Sequence, residues 1–350
     1  MIRSPAVYAA VLRPLLFALQ PEVAQSVAEF ALRRQWLWRG LSGAFETRNG
    51  RLAVDLAGLK LANPVGLAAG YDKDCEMLTS MTSLGFGYVS GGTVVGSAQP
   101  GNPRPRMLRY KEERSLINSL GFPSRGLAYA VKRLESRKKS DGTPVVVSIS
   151  GVDFHSIFRC HRSLEPLADA IELNISSPNT AGLKLFQEPQ VLSELLGRIS
   201  DGRERPLFVK LPPYEADNDE ARDRTLALVN VCVRHGVDAL TVANTHPRQD
   251  ARLAVGTGGL SGKAIFDRTI EMVSAVRSEA GSRTAINACG GIFTGQDAWK
   301  ALKAGATTVQ LLTGLVYRGP GIARTVNREL LREMDRDGVG ALTASAGSEE

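Results

Sequence analysis

After Gly50 the chain carries eight short apolar or β-branched runs, bounded by Gly, Pro, Asn and Asp, that alternate with longer stretches of helical periodicity. The runs are 64–69, 87–93, 145–150, 170–175, 207–211, 239–243, 284–288 and 308–312, and helices are predicted near 74–84, 124–139, 160–169, 189–200, 218–235, 263–280, 295–304 and 320–336. Strands this uniformly apolar are buried on both faces, the condition of parallel strands covered by helices. Eight such units predict an α/β fold, a (β/α)8 TIM barrel over 50–337, with a doubly wound sheet as the alternative. A chain of 350 residues, 43% apolar and 23% charged, can build that barrel and a small appendage. This composition excludes a disordered, collagenous or multi-span membrane protein.

The appendage is the N-terminus, residues 1–45. Val7, Val11, Leu15, Leu16 and Leu19 recur at helical spacing, with a break expected at Pro14, and a second helix is predicted from Pro21 to about Trp38. Charged residues interrupt both stretches, so neither supplies the roughly 20 apolar residues of a spanning helix, and no secretory signal is read. Trp36 and Trp38 beside Arg33, Arg34 and Arg39 suit either a flap docked on the barrel or a membrane interface. Residues 338–350 are small and polar and read as a loose tail.

The net charge of +7 comes from scattered basic residues, so no nucleic-acid partner is expected. Four cysteines stand far apart, without metal-ligand spacing, and read as reduced thiols; no metal is expected.

In a barrel of this kind chemistry gathers at the C-terminal ends of the strands. There the chain places Gly70 and Lys73, Thr93, Asn174 with Ser177 and Asn179, Lys210, Asn244 and Thr245, then Gly291 and Thr313. Glycines after strands seven and eight free backbone N–H groups for a phosphate, Lys210 aims a cation into the mouth, and the asparagines suit a flat polar heterocycle.

These residues sit in longer stretches that resemble the dihydroorotate dehydrogenases, in particular the quinone-using class 2. The stretches are Asn63 to Asp74, Gln99 to Arg106, Leu116 to Phe122, Asn174 to Thr180 and Thr257 to Gly262. The resemblance implies FMN, with Ala69, Gly70, Lys73, Thr93, Asn174, Lys210, Gly262, Gly291, Leu312 and Thr313 holding it. It also implies that Lys73, Asn118, Ser119, Leu120, Gly121, Phe122, Asn179, Asn244 and Thr245 bind dihydroorotate and orotate. Ser177 is implied as the base that takes the C5 proton while C6 gives hydride to the flavin; a serine needs a relay to do so. The acceptor implied is a membrane quinone reached through the N-terminal helices, on a peripheral protein at the cytoplasmic side of the inner membrane, in pyrimidine synthesis.

The chain departs from the family on the flavin side. The family's Asn-Ile-Gly-Lys-Asn at the third strand end aligns with Ile149 to Asp153 if Gly151 is matched, which makes Ile149 the lost asparagine and Val152 the lost lysine. Shifted by one, Ser148 takes the asparagine position instead. Ala243 replaces a threonine before Asn244, and His246 follows Thr245. The alternatives are therefore a paralogue acting on another planar heterocycle, or a barrel that binds a ligand without turnover.

Overall fold

The computed structural model describes residues 7–137, 142–176, 182–215 and 217–342. It opens with a π-helical turn, Tyr8–Leu12, followed by helices α1 (Arg13–Ala18), α2 (Pro21–Leu32) and α3 (Gln35–Leu41). The break expected at Pro14 does not occur: the π-helical turn runs straight into α1, with Leu12 and Arg13 both in helical backbone ahead of Pro14. The helix expected from Pro21 to Trp38 instead divides at Arg34, whose ψ of 68° leaves the helical region.

A hairpin of β1 (Val54–Leu56) and β2 (Leu59–Leu61) follows. The remaining strands are β3 (Val65–Leu67), β4 (Tyr88–Val94), β5 (Met107–Tyr110), β6 (Ser115–Asn118), β7 (Val145–Ile149), β8 (Ala170–Asn174), β9 (Leu207–Lys210), β10 (Ala239–Val242), β11 (His246–Gln249), β12 (Thr257–Gly262), β13 (Ala285–Cys289) and β14 (Thr308–Leu311). Eight of them, β3, β4, β7, β8, β9, β10, β13 and β14, close into a parallel barrel, and they are the eight runs read from the sequence. Closure excludes the doubly wound alternative.

The apolar core lies mainly between the barrel and its helices. Two helices differ from expectation. The first is confined to Leu78–Thr82, because the Asp72 carboxylate takes the N–H groups of Glu76 and Met77 and holds the preceding segment as a loop. The third begins at Phe154 rather than 160, capped by Asp153, whose side chain accepts from Ser156 N at 2.8 Å.

The strand register fixes which side chains share a level inside the barrel. Each step to the next strand climbs one residue, and alternate strands supply each level. The lowest level is Tyr88, Ala170, Ala239 and Thr308, sealed from below by Leu56 and Leu61 of the hairpin. Above it lie Gly66, Val146, Phe208 and Asn287. Gly66 has no side chain because the Tyr88 ring fills its place; a Cβ there would stand 2.3 Å from that ring. Ser90, Glu172, Thr241 and Gln310 come next, then Ala68, Ser148, Lys210 and Cys289. Gly92, Asn174, Ala243 and Leu312 ring the mouth.

Candidate active site

At the mouth a bulge between Gly91 and Val94 turns Thr93 inward. Asn174 Nδ2 donates to Thr93 Oγ1 at 3.1 Å, and Asn174 Oδ1 accepts from Ser176 N at 3.1 Å and Ser176 Oγ at 2.7 Å. Asn244 Nδ2 donates to Ser176 Oγ at 2.9 Å, so both asparagines pin the chain where β8 ends. Ser177 and Asn179 lie just beyond, outside the described residues.

The register also decides how β7 ends. Ile149 is fully buried in the outer core opposite Leu173, whereas Ser148 faces inward and its Oγ meets Thr93 Oγ1 at 3.1 Å. Ser148 therefore holds the inward position, not Ile149, and Val152 is 51% exposed beyond the strand.

Lys210, 6% exposed, stands in the level beneath, with Nζ 3.9 Å from Cys289 Sγ. Burial opposes its charge, yet Cys289 and Glu172 beside it hold the ammonium above the ordinary lysine value. Burial raises the Cys289 thiol, with Lys210 pulling the other way. Lys73 is held below the ordinary lysine value by burial, against the pull of Glu29 and Asp72.

A four-stranded antiparallel sheet, β11-β12-β6-β5, flanks the mouth; the sequence reading did not contain it. Asn118 ends β6, its Nδ2 donating to Gly259 O at 3.4 Å. The Gln99–Arg106 stretch braces the turn that follows: Gln99 Nε2 donates to Phe122 O at 2.8 Å, and Asn102 Nδ2 to Ser119 O at 2.8 Å. Ser119 does not line the cavity; its side chain is fully buried on the other face of that turn, with its backbone N–H on Arg106 O. Gly290, Gly291 and the short helix Thr313–Arg318, which was not expected from the sequence, also border the mouth; the helix has no side-chain cap, and a Cβ on its Gly314 would stand 2.7 Å from Ile292 O.

All these surfaces open into one cavity of about 720 Å³. Ala69, Gly70, Lys73, Thr93, Asn118, Leu120, Gly121, Phe122, Asn174, Lys210, Asn244, Thr245, Gly262, Gly291, Leu312 and Thr313 line it. Gln310, Cys289 and Ser261 line it too, unsignalled in the sequence because apolar strands hide which residues face inward. The roof is apolar: Leu12, Leu15, Leu16, Leu19, Val27 and Leu37 from the N-terminal helices.

Arg109 fastens this roof, donating to Leu19 O at 2.6 Å, Leu16 O at 3.3 Å and Phe17 O at 3.4 Å. Glu22 bridges to Arg104 at 2.7 Å and Arg106 at 3.2 Å, and Arg33 to Glu76 at 2.6 Å. Val11, Val23, Phe30 and Trp36 of these helices do not line the cavity and are between 48% and 74% exposed. Among the described residues no helix is long and apolar enough to cross a membrane.

A closed (β/α)8 barrel with a cation beneath its mouth and amide side chains around it is here the barrel of an oxidoreductase. The family model for dihydroorotate dehydrogenase matches residues 51–334, and the chain belongs to that family. It is 36% identical to the dihydroorotate dehydrogenase (quinone) of Roseiflexus sp. (strain RS-1) over 97% of both chains. With the enzyme of the same name from Thermus thermophilus it shares 37% identity over 93% of this chain and 97% of that one. The crystal structure of DHODH from Eimeria tenella in complex with ferulenol matches with a TM-score of 0.82 at 30% identity, covering 94% of this chain and 95% of that one.

Proposed function

We propose that the protein oxidises dihydroorotate to orotate with FMN as its cofactor and passes the electrons to a membrane quinone. The observation that carries this reading is a single cavity with a polar floor at the barrel mouth and an apolar roof of helices. A polar ring and a long-chain apolar acceptor can each find a matching wall there.

The residues fit FMN. A Cβ on Gly70, at φ 110°, would project into the cavity 3.5 Å from Leu312, where a flat ring needs clearance. The uncapped helix start at Thr313, lining the same cavity as Gly290 and Gly291, offers backbone donors for a phosphate. FMN when bound would accept hydride and release electrons singly or in pairs. The Lys210 ammonium would stabilise negative charge on the ring, and Thr93 and Asn174 would set its edge. Lys73 and Asn118, with Asn179, Asn244 and Thr245, would hold the substrate's carboxylate and ring amides. Ser177 would take the C5 proton. Ser148, shorter than the family's asparagine, forgoes one contact of about 1 kcal/mol.

The exposed apolar residues of the helices, with the exposed Arg33, Arg34 and Arg39 among them, suit the interfacial layer of a membrane, so the protein would sit peripherally at the cytoplasmic side of the cell membrane, with residues 1–45 as its quinone and membrane element, 50–337 as its catalytic barrel and 338–350 as a tail. The test is to purify the protein, identify the released flavin by mass, and mix anaerobically with dihydroorotate. Bleaching with stoichiometric orotate, then recovery of colour with a quinone, is expected. A bound flavin that dihydroorotate neither bleaches nor perturbs would overturn the substrate, and a protein that binds no FMN would overturn the cofactor.

A further inference from the structure

Beneath Lys210 the barrel carries a level that is polar on all four strands: Ser90, Glu172, Thr241 and Gln310, all fully buried. Such a level ordinarily holds bulky branched apolar side chains. The lower neighbours are joined in a chain: Tyr88 Oη to Thr308 Oγ1 at 3.0 Å, Thr308 Oγ1 to Asn287 Oδ1 at 2.6 Å, Asn287 Nδ2 to Thr241 Oγ1 at 3.4 Å, and Thr241 Oγ1 to Glu172 Oε2 at 2.8 Å. The chain ends on the carboxylate. Above it, Glu172 Oε1, Ser90 Oγ and both amide atoms of Gln310 have no hydrogen-bond partner in the protein.

The register brings this level against the cation. Asn174 pairs with Lys210 across β8 and β9, which sets Glu172 on the same inward face one level down, and Thr241, the donor to Glu172, is the register partner of Lys210 on its other side. An isolated buried carboxylate is costly, and among the described residues no other cation lies on the inner wall of the barrel. A carboxylate held by one threonine, with its second oxygen unpartnered in the protein and a cation one level above, is placed to balance that charge.

We propose that Glu172 is a positioning residue of the enzyme: from inside the barrel its carboxylate, fixed by Thr241 one level below Lys210, offsets part of the positive charge that the Lys210 ammonium presents to the flavin ring. The unpaired atoms of Ser90 and Gln310 complete the polar chamber between the two charges and are of a kind that ordered water satisfies. The inference rests on the FMN reading for its redox consequence and on the apoprotein for the charge pair itself.

The experiment uses the full chain. In FMN-loaded protein, Glu172→Gln removes the offsetting charge and keeps the side-chain shape, so the bound flavin's midpoint potential rises. A tenfold gain in the two-electron equilibrium is expected, equivalent to about 30 mV. Thr241→Val moves it in the same direction by less, and Glu172→Asp restores most of the wild-type value. A merely structural residue would lower the melting temperature or flavin content without this ordered shift. An unchanged potential in a folded, flavin-replete Glu172→Gln protein overturns the proposal. Should the protein bind no FMN, the cofactor reading fails separately, and a double-mutant cycle in the apoprotein decides: Glu172→Gln and Lys210→Met together should lower the melting temperature by less than the sum of the single losses, whereas additive losses reject the pair.

Discussion

Arg109→Met tests whether the helical roof is a working part of the enzyme. The guanidinium holds three carbonyls at the C-terminal end of α1, where a helix leaves its last C=O groups unpaired, and it lies 4.6 Å from the centre of the Phe17 ring. A hydrogen bond to a charged donor contributes about 1.5–3 kcal/mol when shielded. This seam is half-buried, and water can replace part of each bond. The net loss for the three is about 2–3 kcal/mol, with methionine keeping much of the apolar stem. That corresponds to roughly a 30- to 150-fold fall in the docking equilibrium of α1 and α2. Stopped-flow on FMN-loaded protein should show reduction by dihydroorotate within about twofold of wild type and reoxidation by a long-chain quinone slowed about tenfold or more. Trypsin should cut faster at Arg33 and Arg34. Equal slowing of both half-reactions with an unchanged tryptic pattern would refute the reasoning, since the roof would then be no more than part of the barrel's support.

Gly262→Ala places a Cβ 2.5 Å from Arg114 O at a φ of 100°, so a loss of about 2–4 kcal/mol and a matching fall in melting temperature are expected; a melting curve that overlays wild type would count against the placement. Cys289 alone among the four cysteines lines the cavity, and burial raises its thiol, so alkylation should lag a free thiol at pH 8, keep accelerating above pH 9 and be blocked by bound FMN. Ser177→Ala should slow anaerobic flavin reduction by about 10² to 10⁴ with orotate affinity nearly unchanged; reduction indifferent to the change would reject Ser177 as the base. Burial raises the Asp72 carboxyl to about 6, above its unfolded value of 3.8, so its contribution to stability is complete below that lower value and is lost as pH rises towards 6. Urea unfolding at pH 4 and pH 7 should show a smaller difference for Asp72→Asn than for wild type.

The barrel was legible because its strands are continuous apolar runs and its helices are long. The side chains inside it were not. In Val145 to Ile149 or Ala170 to Asn174 nothing in the order of residues tells which of two neighbours faces inward, and the choice between Ser148 and Ile149 needed the stagger of all eight strands. The flanking antiparallel sheet escaped notice because β12 is half glycine and β11 contains Pro247, both poor strand signals. The Asp153 cap and the Asp72 loop were visible as aspartates, but only the backbone shows which N–H groups they take. Lys73, Asn174, Lys210 and Asn244 were legible because strand ends are where such residues collect, and motif likeness supplied the rest, Asn118 among them.

The small hairpin under the barrel bears on how the chain reaches this fold. Leu56 and Leu61 are made early in synthesis, yet the surfaces that bury them include Ala170, Phe208 and Ala239, which arrive much later. Until β8, β9 and β10 are in place, the hairpin has only Tyr88 and Val146 of that cluster to sit on, and its two leucines stay partly wet. Seating it is a non-local event and so belongs to the slow end of folding, after strands have paired with their neighbours. A probe at β1 or β2 would thus report the closing of the ring itself, and a chain halted before Ala239 would carry its first hairpin undocked, as a site for chaperones to hold.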